Sequence, residues 1–379
     1  MNSKRCDLQS ILTRSDLGAL NPRQRQVVSH VTSCRTAALG GMRWGCERCE
    51  HHETHFHSCR DRHCPKCQRK QSVEWRDRQR AQVLPVTYHH VVFTLPSSLN
   101  GWVGLHPELI YRTLFSCVWN TLAAFGADPK RLDGQIGMSA VLHTWGEALT
   151  RHVHLHCLVP GGALGADGQW HGARSHYLFP VRALSRRFRG AMVGALRVAA
   201  TEGKLHRVTR EGEVATLLEQ LMASDWVVYS KACPGRAEQV VDYLSRYSHR
   251  IAISDERIVK ADAFKVSFRV KDYANEGSRR TLTLETKEFI RRYLLHVLPK
   301  GLMRVRHYGF LANRCRRERL HAIRLSLSVE HSPDNESDDV ELNSREAQTH
   351  QETERLCPAC KKGYMHAHYR IEPYRLTEN

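Results

Sequence analysis

Residues 151–162, Arg-His-Val-His-Leu-His-Cys-Leu-Val-Pro-Gly-Gly, decide how the chain folds. On an extended strand, alternate side chains share a face. His152, His154 and His156 therefore point one way, while Val153, Leu155 and Cys157 point the other, toward a helix-packed core. The apolar face explains why such a strand is buried on one side only. Neighbouring imidazoles on the open face can hold a divalent cation, although His-x-His pairs also occur as plain surface histidines.

Working outward, further strand-like runs lie at Tyr88–Leu95, Met138–His143, Trp226–Tyr229 and Phe264–Val270, with a short one at Thr281–Leu284. Helix-like stretches intervene at 107–125, 181–201, 236–249 and 286–297. Trp145-Gly146-Glu147 falls between two closely spaced strands and predicts a hairpin. Strands with helices between them, and no glycine-rich phosphate turn, predict an α+β fold: a largely antiparallel sheet covered by helices.

The chain has 379 residues, 41% of them hydrophobic, enough for two to three domains with a sizeable core. Its formal net charge of +18 favours a polyanionic partner, most often nucleic acid. No apolar run approaches the roughly 20 residues of a membrane span. The first 30 residues lack the apolar core of a secretory signal, so a cytosolic location is expected. In that compartment, clustered cysteines and histidines read as metal ligands rather than disulfides.

Seven of the 13 cysteines fall in residues 1–85. Cys46-x2-Cys49 and Cys64-x2-Cys67 form two knuckles fourteen residues apart, the spacing of a zinc-ribbon-like module. Four thiolates from these knuckles would close the shell of a structural Zn²⁺; Cys34, Cys59 and His63 are substitutes or ligands of a second site. Arginines and lysines around the knuckles suit a DNA-end reader. Cys357-x2-Cys360, followed by His366 and His368, is a candidate second zinc knuckle at the C-terminal end. The expected organisation is a zinc-binding DNA-recognition domain over 1–85, a catalytic domain over 86–325, an acidic disordered linker over 326–356, and the C-terminal knuckle over 357–379.

Residues 239–250, Gln-Val-Val-Asp-Tyr-Leu-Ser-Arg-Tyr-Ser-His-Arg, have apolar positions at i, i+4 and i+7 and read as an amphipathic helix. Tyr243 and Tyr247 then stand one turn apart on the same face. Taken alone, such tyrosines are more often core residues than functional ones.

Together these motifs resemble the HUH single-strand DNA nucleases, and within them the transposases of the insertion sequence 91 family. The resemblance runs through Cys34-Arg-Thr-Ala-Ala-Leu-Gly-Gly41, Ser58-Cys-Arg-Asp-Arg-His-Cys-Pro-Lys-Cys67, His90-Val-Val-Phe-Thr-Leu-Pro96, His143-Thr-Trp-Gly146, His154 to Gly162, and Tyr243-Leu-Ser-Arg-Tyr247. It implies an N-terminal zinc domain followed by an HUH domain with a central antiparallel sheet. By position it implies that His154 and His156 bind a catalytic metal and that Tyr243 and Tyr247 are nucleophiles. Related replication initiators take a third ligand from an acid seven residues before the first histidine, where Glu147 stands; His90 and His143 are the alternatives.

The implied reaction is metal-dependent nicking and rejoining of single-stranded insertion-sequence ends through a 5′-phosphotyrosine, with DNA as substrate and target. Mg²⁺ or Mn²⁺ would be the catalytic ion, and imidazole ligation favours Mn²⁺. Basic clusters at 186–189, 279–280, 291–292 and 300–324 could track phosphates, and Trp145, Trp170 and Trp226 could stack bases or serve as core. The competing readings are a rolling-circle replication initiator or relaxase, a zinc-dependent DNA-binding regulator with structural tyrosines, and a transposase built on metal-bound carboxylates.

Overall fold

A computed structural model describes residues 6–68, 82–173, 177–233, 251–272, 278–327 and 355–374. The expected helix at 236–249, with Tyr243 and Tyr247, and almost all of the expected acidic linker lie outside the described residues.

The α+β architecture is as expected. Its centre is a five-stranded sheet in the order β12-β4-β5-β3-β8. These strands are β3 (Tyr88–Thr94), β4 (Gly137–Trp145), β5 (Arg151–Pro160), β8 (Val228–Ala232) and β12 (Val305–Gly309). Every neighbouring pair is antiparallel. β4 and β5 are joined by the predicted hairpin, closed by the Gly146 N–H donating to the Thr150 carbonyl at 2.9 Å.

The two faces of this sheet differ as the strand alternation demands. Val91, Phe93, Leu142, Val153, Leu155 and Cys157 belong to the main core. They pack beneath α4 (Pro107–Gly126) and α5 (Val181–Thr201), with Phe93 edge-on to Phe188 at 5.0 Å. Pro107 at the first turn suits the start of α4, where its missing N–H costs no hydrogen bond. The opposite face carries the histidines.

β12 was not anticipated. Its sequence lies in the arginine-rich run 300–324, which reads as a basic tail. Two of those arginines are taken up by the fold: Arg306 lies 4.1 Å over the Phe115 ring, and burial pushes the Arg304 guanidinium down to about 10. Trp145 and Trp226 are buried too, and neither can stack a base.

The N-terminal residues form α1 (Leu8–Arg14) and α2 (Pro22–Ser33), each opened by a capping box, Asp7 with Ser10 and Asn21 with Gln24. Their apolar sides share one core with Cys34, Cys64, Cys67, Trp145 and the buried side of a three-stranded sheet. That sheet is ordered β11-β10-β9, from β9 (Ile258–Ala261), β10 (Lys265–Asp272) and β11 (Ser278–Glu285). The cysteine module is thus continuous with the rest of the molecule.

The C-terminal segment does not stand apart either. β1 (Gly41–Cys46) pairs with β2 (His52–Phe56) on one side and with β14 (Tyr364–Ile371) on the other. With β13 (Arg355–Leu356) they make a four-stranded sheet, β13-β14-β1-β2, from both ends of the sequence. β1 and β2 also went unread, because glycine and polar residues blur their alternation.

Candidate metal centre

Strand pairing builds the central cluster. His143 lies directly opposite His154 across β4 and β5, and His156 lies opposite Val141. Directly opposed residues share a face, so all three imidazoles emerge on the side away from the helices. The register shifts between His143 and Trp145, a local irregularity of the kind that re-aims side chains beside active sites. One ring nitrogen from each of His143, His154 and His156 falls within 4.8 Å of the others. Ring centroids lie 4.4 Å apart for His143 and His156 and 4.7 Å for His154 and His156.

The surroundings orient these rings. Nδ1 of His154 lies 2.9 Å from the His152 carbonyl, which can only accept, so Nδ1 carries the proton and Nε2 the lone pair. Nδ1 of His156 lies 2.8 Å from Nε2 of His90. Burial pushes His90 down to about 4, so at neutral pH it is uncharged and able to accept that proton. His143 is stacked on Trp145, with centroids 4.6 Å apart and an interplanar angle of 21°. Metal-binding histidines are commonly held by such outer partners, which fix tautomer and direction. His143 and His156 are buried and His154 is half-buried, so the cluster opens at its His154 side.

Glu147 is not part of this cluster. Its carboxylate accepts from the Lys271 backbone N–H at 3.4 Å and lies 3.5 Å from the Arg257 guanidinium. The hairpin turn carries it toward the three-stranded sheet. His143, held only as an alternative on sequence grounds, stands where Glu147 was expected. His90 stands behind His156.

The cysteines divide differently from the expectation. Cys46 and Cys49 do not meet Cys64 and Cys67. One cluster joins Cys34, Cys59, Cys64 and Cys67; the other joins Cys46, Cys49, Cys357 and Cys360. Sulfur–sulfur distances are 3.6 Å for Cys34–Cys67 and for Cys59–Cys67. They are 3.7 Å for Cys46–Cys360 and for Cys49–Cys357. A tetrahedral Zn²⁺ with Zn–S near 2.3 Å sets sulfurs about 3.8 Å apart. A disulfide needs about 2.05 Å. The donor sets fit zinc. His366, expected to serve the C-terminal knuckle, instead lies 3.1 Å from Glu47 Oε2.

The comparisons with known proteins follow the same outline. A family model described as "Transposase zinc-binding domain" matches residues 7–95. One described as "Putative transposase" matches residues 137–319. The chain is 41% identical over 361 residues to "Putative transposase y4qJ" of Sinorhizobium fredii, covering 93% of this chain and 90% of that protein. It is 26% identical over 306 residues to the transposase for insertion sequence element IS801 of Pseudomonas savastanoi pv. phaseolicola, covering 78% and 72%. The chain belongs to the insertion sequence 91 family of transposases.

No solved structure matches this transposase. Family membership makes it an enzyme of DNA cleavage and strand transfer with a structural zinc-binding domain. The zinc-domain match contains all of the first cysteine cluster but only half of the second, since Cys357 and Cys360 lie beyond both matched regions. No helix among the described residues of the transposase is long and apolar enough to cross a membrane.

Proposed function

We propose that this transposase nicks and rejoins single-stranded DNA at insertion-sequence ends through a 5′-phosphotyrosine intermediate, driving rolling-circle transposition. The observation that carries the reading is the three-histidine cluster on the open face of an antiparallel sheet, with the outer nitrogens of His154 and His156 engaged by His152 and His90.

His143, His154 and His156 would hold one divalent cation, Mn²⁺ or Mg²⁺, which when bound supplies Lewis-acid stabilisation of charge on the scissile phosphate. The nucleophile is the hydroxyl of Tyr243 or Tyr247. Its oxygen bonds to phosphorus as the P–O3′ bond breaks, and the proton it gives up is balanced by the one the departing 3′-oxygen takes up to leave as a free hydroxyl. The phosphotyrosine ester conserves the phosphodiester, so attack by a 3′-hydroxyl restores DNA and tyrosine without ATP. Two tyrosines permit two covalent attachments in succession, as moving one strand from donor to target requires.

The DNA path is supplied by basic surface. On the three-stranded sheet, Lys260, Lys265, Arg269, Lys271 and Arg279 share the solvent face with Ser267, Thr281 and Thr283. The alternate residues Val266, Phe268 and Val270 are buried beneath. Phe264, in the β9–β10 turn, is 80% exposed, and cations beside an exposed ring suit a stacked single strand. This sheet meets the catalytic hairpin at the Glu147 contacts with Arg257 and Lys271. The enzyme would act on DNA in the bacterial cytoplasm, at the nucleoid.

The test is a comparison of cleavage with binding. With a single-stranded element end and Mn²⁺, His143→Ala, His154→Ala and His156→Ala each lower cleavage far more than DNA affinity. Equal loss of both would remove the metal assignment. A mobility shift by the unaltered protein without any covalent adduct would instead favour a DNA-binding regulator.

A further inference from the structure

The cysteine cluster at the molecule's end closes the chain on itself. Cys46 and Cys360 are 314 residues apart in sequence and Cys49 and Cys357 are 308 apart, yet each pair has its sulfurs at 3.7 Å. We propose that these four cysteines form a second, chain-closing zinc site, and that its loading docks the C-terminal arm, β13 and β14, onto the N-terminal sheet. This inference does not rest on the nuclease reading.

Each knuckle aims a backbone N–H at one of its own sulfurs. The Arg48 N–H donates to Cys46 Sγ at 3.3 Å, and the Gly363 N–H donates to Cys360 Sγ at 3.4 Å. The C-terminal turn is closed by the Cys357 N–H to the Gly363 carbonyl at 2.7 Å and by Lys361, whose φ is +54°. Gly363 is there because the turn sits on the opposite knuckle: a Cβ would lie 2.8 Å from both Cys46 Sγ and Arg48 Cβ.

Little else holds the arm down. Along β14 only Met365 is buried, and the local apolar cluster consists of Met365, Trp44 and the four cysteines themselves. Other ties among the described residues include exposed strand hydrogen bonds, the Tyr364 N–H to Glu47 Oε1 at 3.1 Å, the edge contact of His52 and His368 at 5.2 Å, and the Arg355–Glu53 and His366–Glu47 pairs at the surface. Surface ion pairs contribute little. Structural zinc contributes several-fold more than burial of one side chain, so the metal decides whether the arm is docked.

The experiment uses the full chain. Metal analysis of the purified protein should find two Zn²⁺ per chain, and Cys357→Ser with Cys360→Ser should hold one. Hydrogen exchange should show residues 364–371, and the amides of 41–46 that face β14, protected in the loaded protein and unprotected in the double variant, with the central strands at 88–94 and 151–160 unchanged. Stepwise chelation of the unaltered protein gives the same answer without mutation: the arm should lose protection as the first zinc leaves. Two zinc ions in the double variant would overturn the proposal. So would an arm that stays protected when that zinc is gone, or loss of central-sheet protection together with the arm.

Discussion

Nε2 of His90, on β3, lies 2.8 Å from Nδ1 of His156, on β5, so a buried neutral imidazole backs one member of the three-histidine cluster. With His90 Nε2 as the acceptor, His156 is held as the tautomer that presents Nε2. Removing an outer partner of this kind costs about 10–100-fold in metal affinity or activity. His90→Ala should therefore raise the Mn²⁺ concentration needed for half-maximal cleavage by about that factor, leaving DNA affinity intact. His90→Asn, whose amide oxygen can accept the same proton, should recover part of the loss. A Mn²⁺ titration of cleavage reads both.

Glu147 and His143 separate two versions of the metal site. Because Glu147 is committed to Arg257 and Lys271, Glu147→Gln should shift Mn²⁺ dependence by no more than about twofold. His143→Ala should abolish the dependence or move it by far more than tenfold, roughly the loss expected when a ligand itself is removed. If the glutamate variant were as impaired as the histidine variant, the carboxylate would belong among the ligands.

The basic sheet face should reveal itself through salt. Each phosphate contact to a single strand contributes about 0.7 to the slope of log affinity against log salt. Changing Arg269, Lys271 and Arg279 together to alanine should lower that slope by about 2 and weaken binding, without changing the cleavage rate at saturating DNA. A fluorescence anisotropy titration at several salt concentrations provides the slope. An unchanged slope would move the DNA path elsewhere.

Acid should loosen the hairpin that carries the cluster. Burial pushes His296 down to about 4, and the ring lies 3.0 Å from the Leu149 carbonyl and 3.2 Å from Thr144 Oγ1. The unfolded chain takes up this proton near pH 6.5, well before the folded one does. Stability is therefore complete above about pH 6.5 and falls as pH drops toward 4, by up to about 3 kcal/mol from this residue. His296→Gln should flatten the fall in melting temperature between pH 7 and pH 4.5. A fall as steep as in the unaltered protein would contradict the assignment.

Much of the site was readable because local alternation writes it. The His-x-His-x-His run in β5 places its imidazoles on one face and Val153, Leu155 and Cys157 in the core, as observed. The third histidine of the cluster was harder, since it depends on which residue of β4 opposes His154, a register the sequence does not state. Cysteine spacing announces zinc but not how the cysteines divide. Cys46 meets Cys360 rather than Cys64 because β14 pairs with β1 across nearly the whole chain. β12 was hidden by its arginines, whose charge reads as surface although the Arg306 guanidinium packs on an aromatic ring.

The most direct measurement is the location of the covalent bond. Incubating the protein with a labelled single-stranded element end and Mn²⁺, digesting it, and sequencing the DNA-linked peptide by mass spectrometry should find a 5′-phosphate on Tyr243 or Tyr247. The double change Tyr243→Phe with Tyr247→Phe should give neither adduct nor cleavage. Cleavage that survives this change, or an adduct on any other residue, would contradict the account.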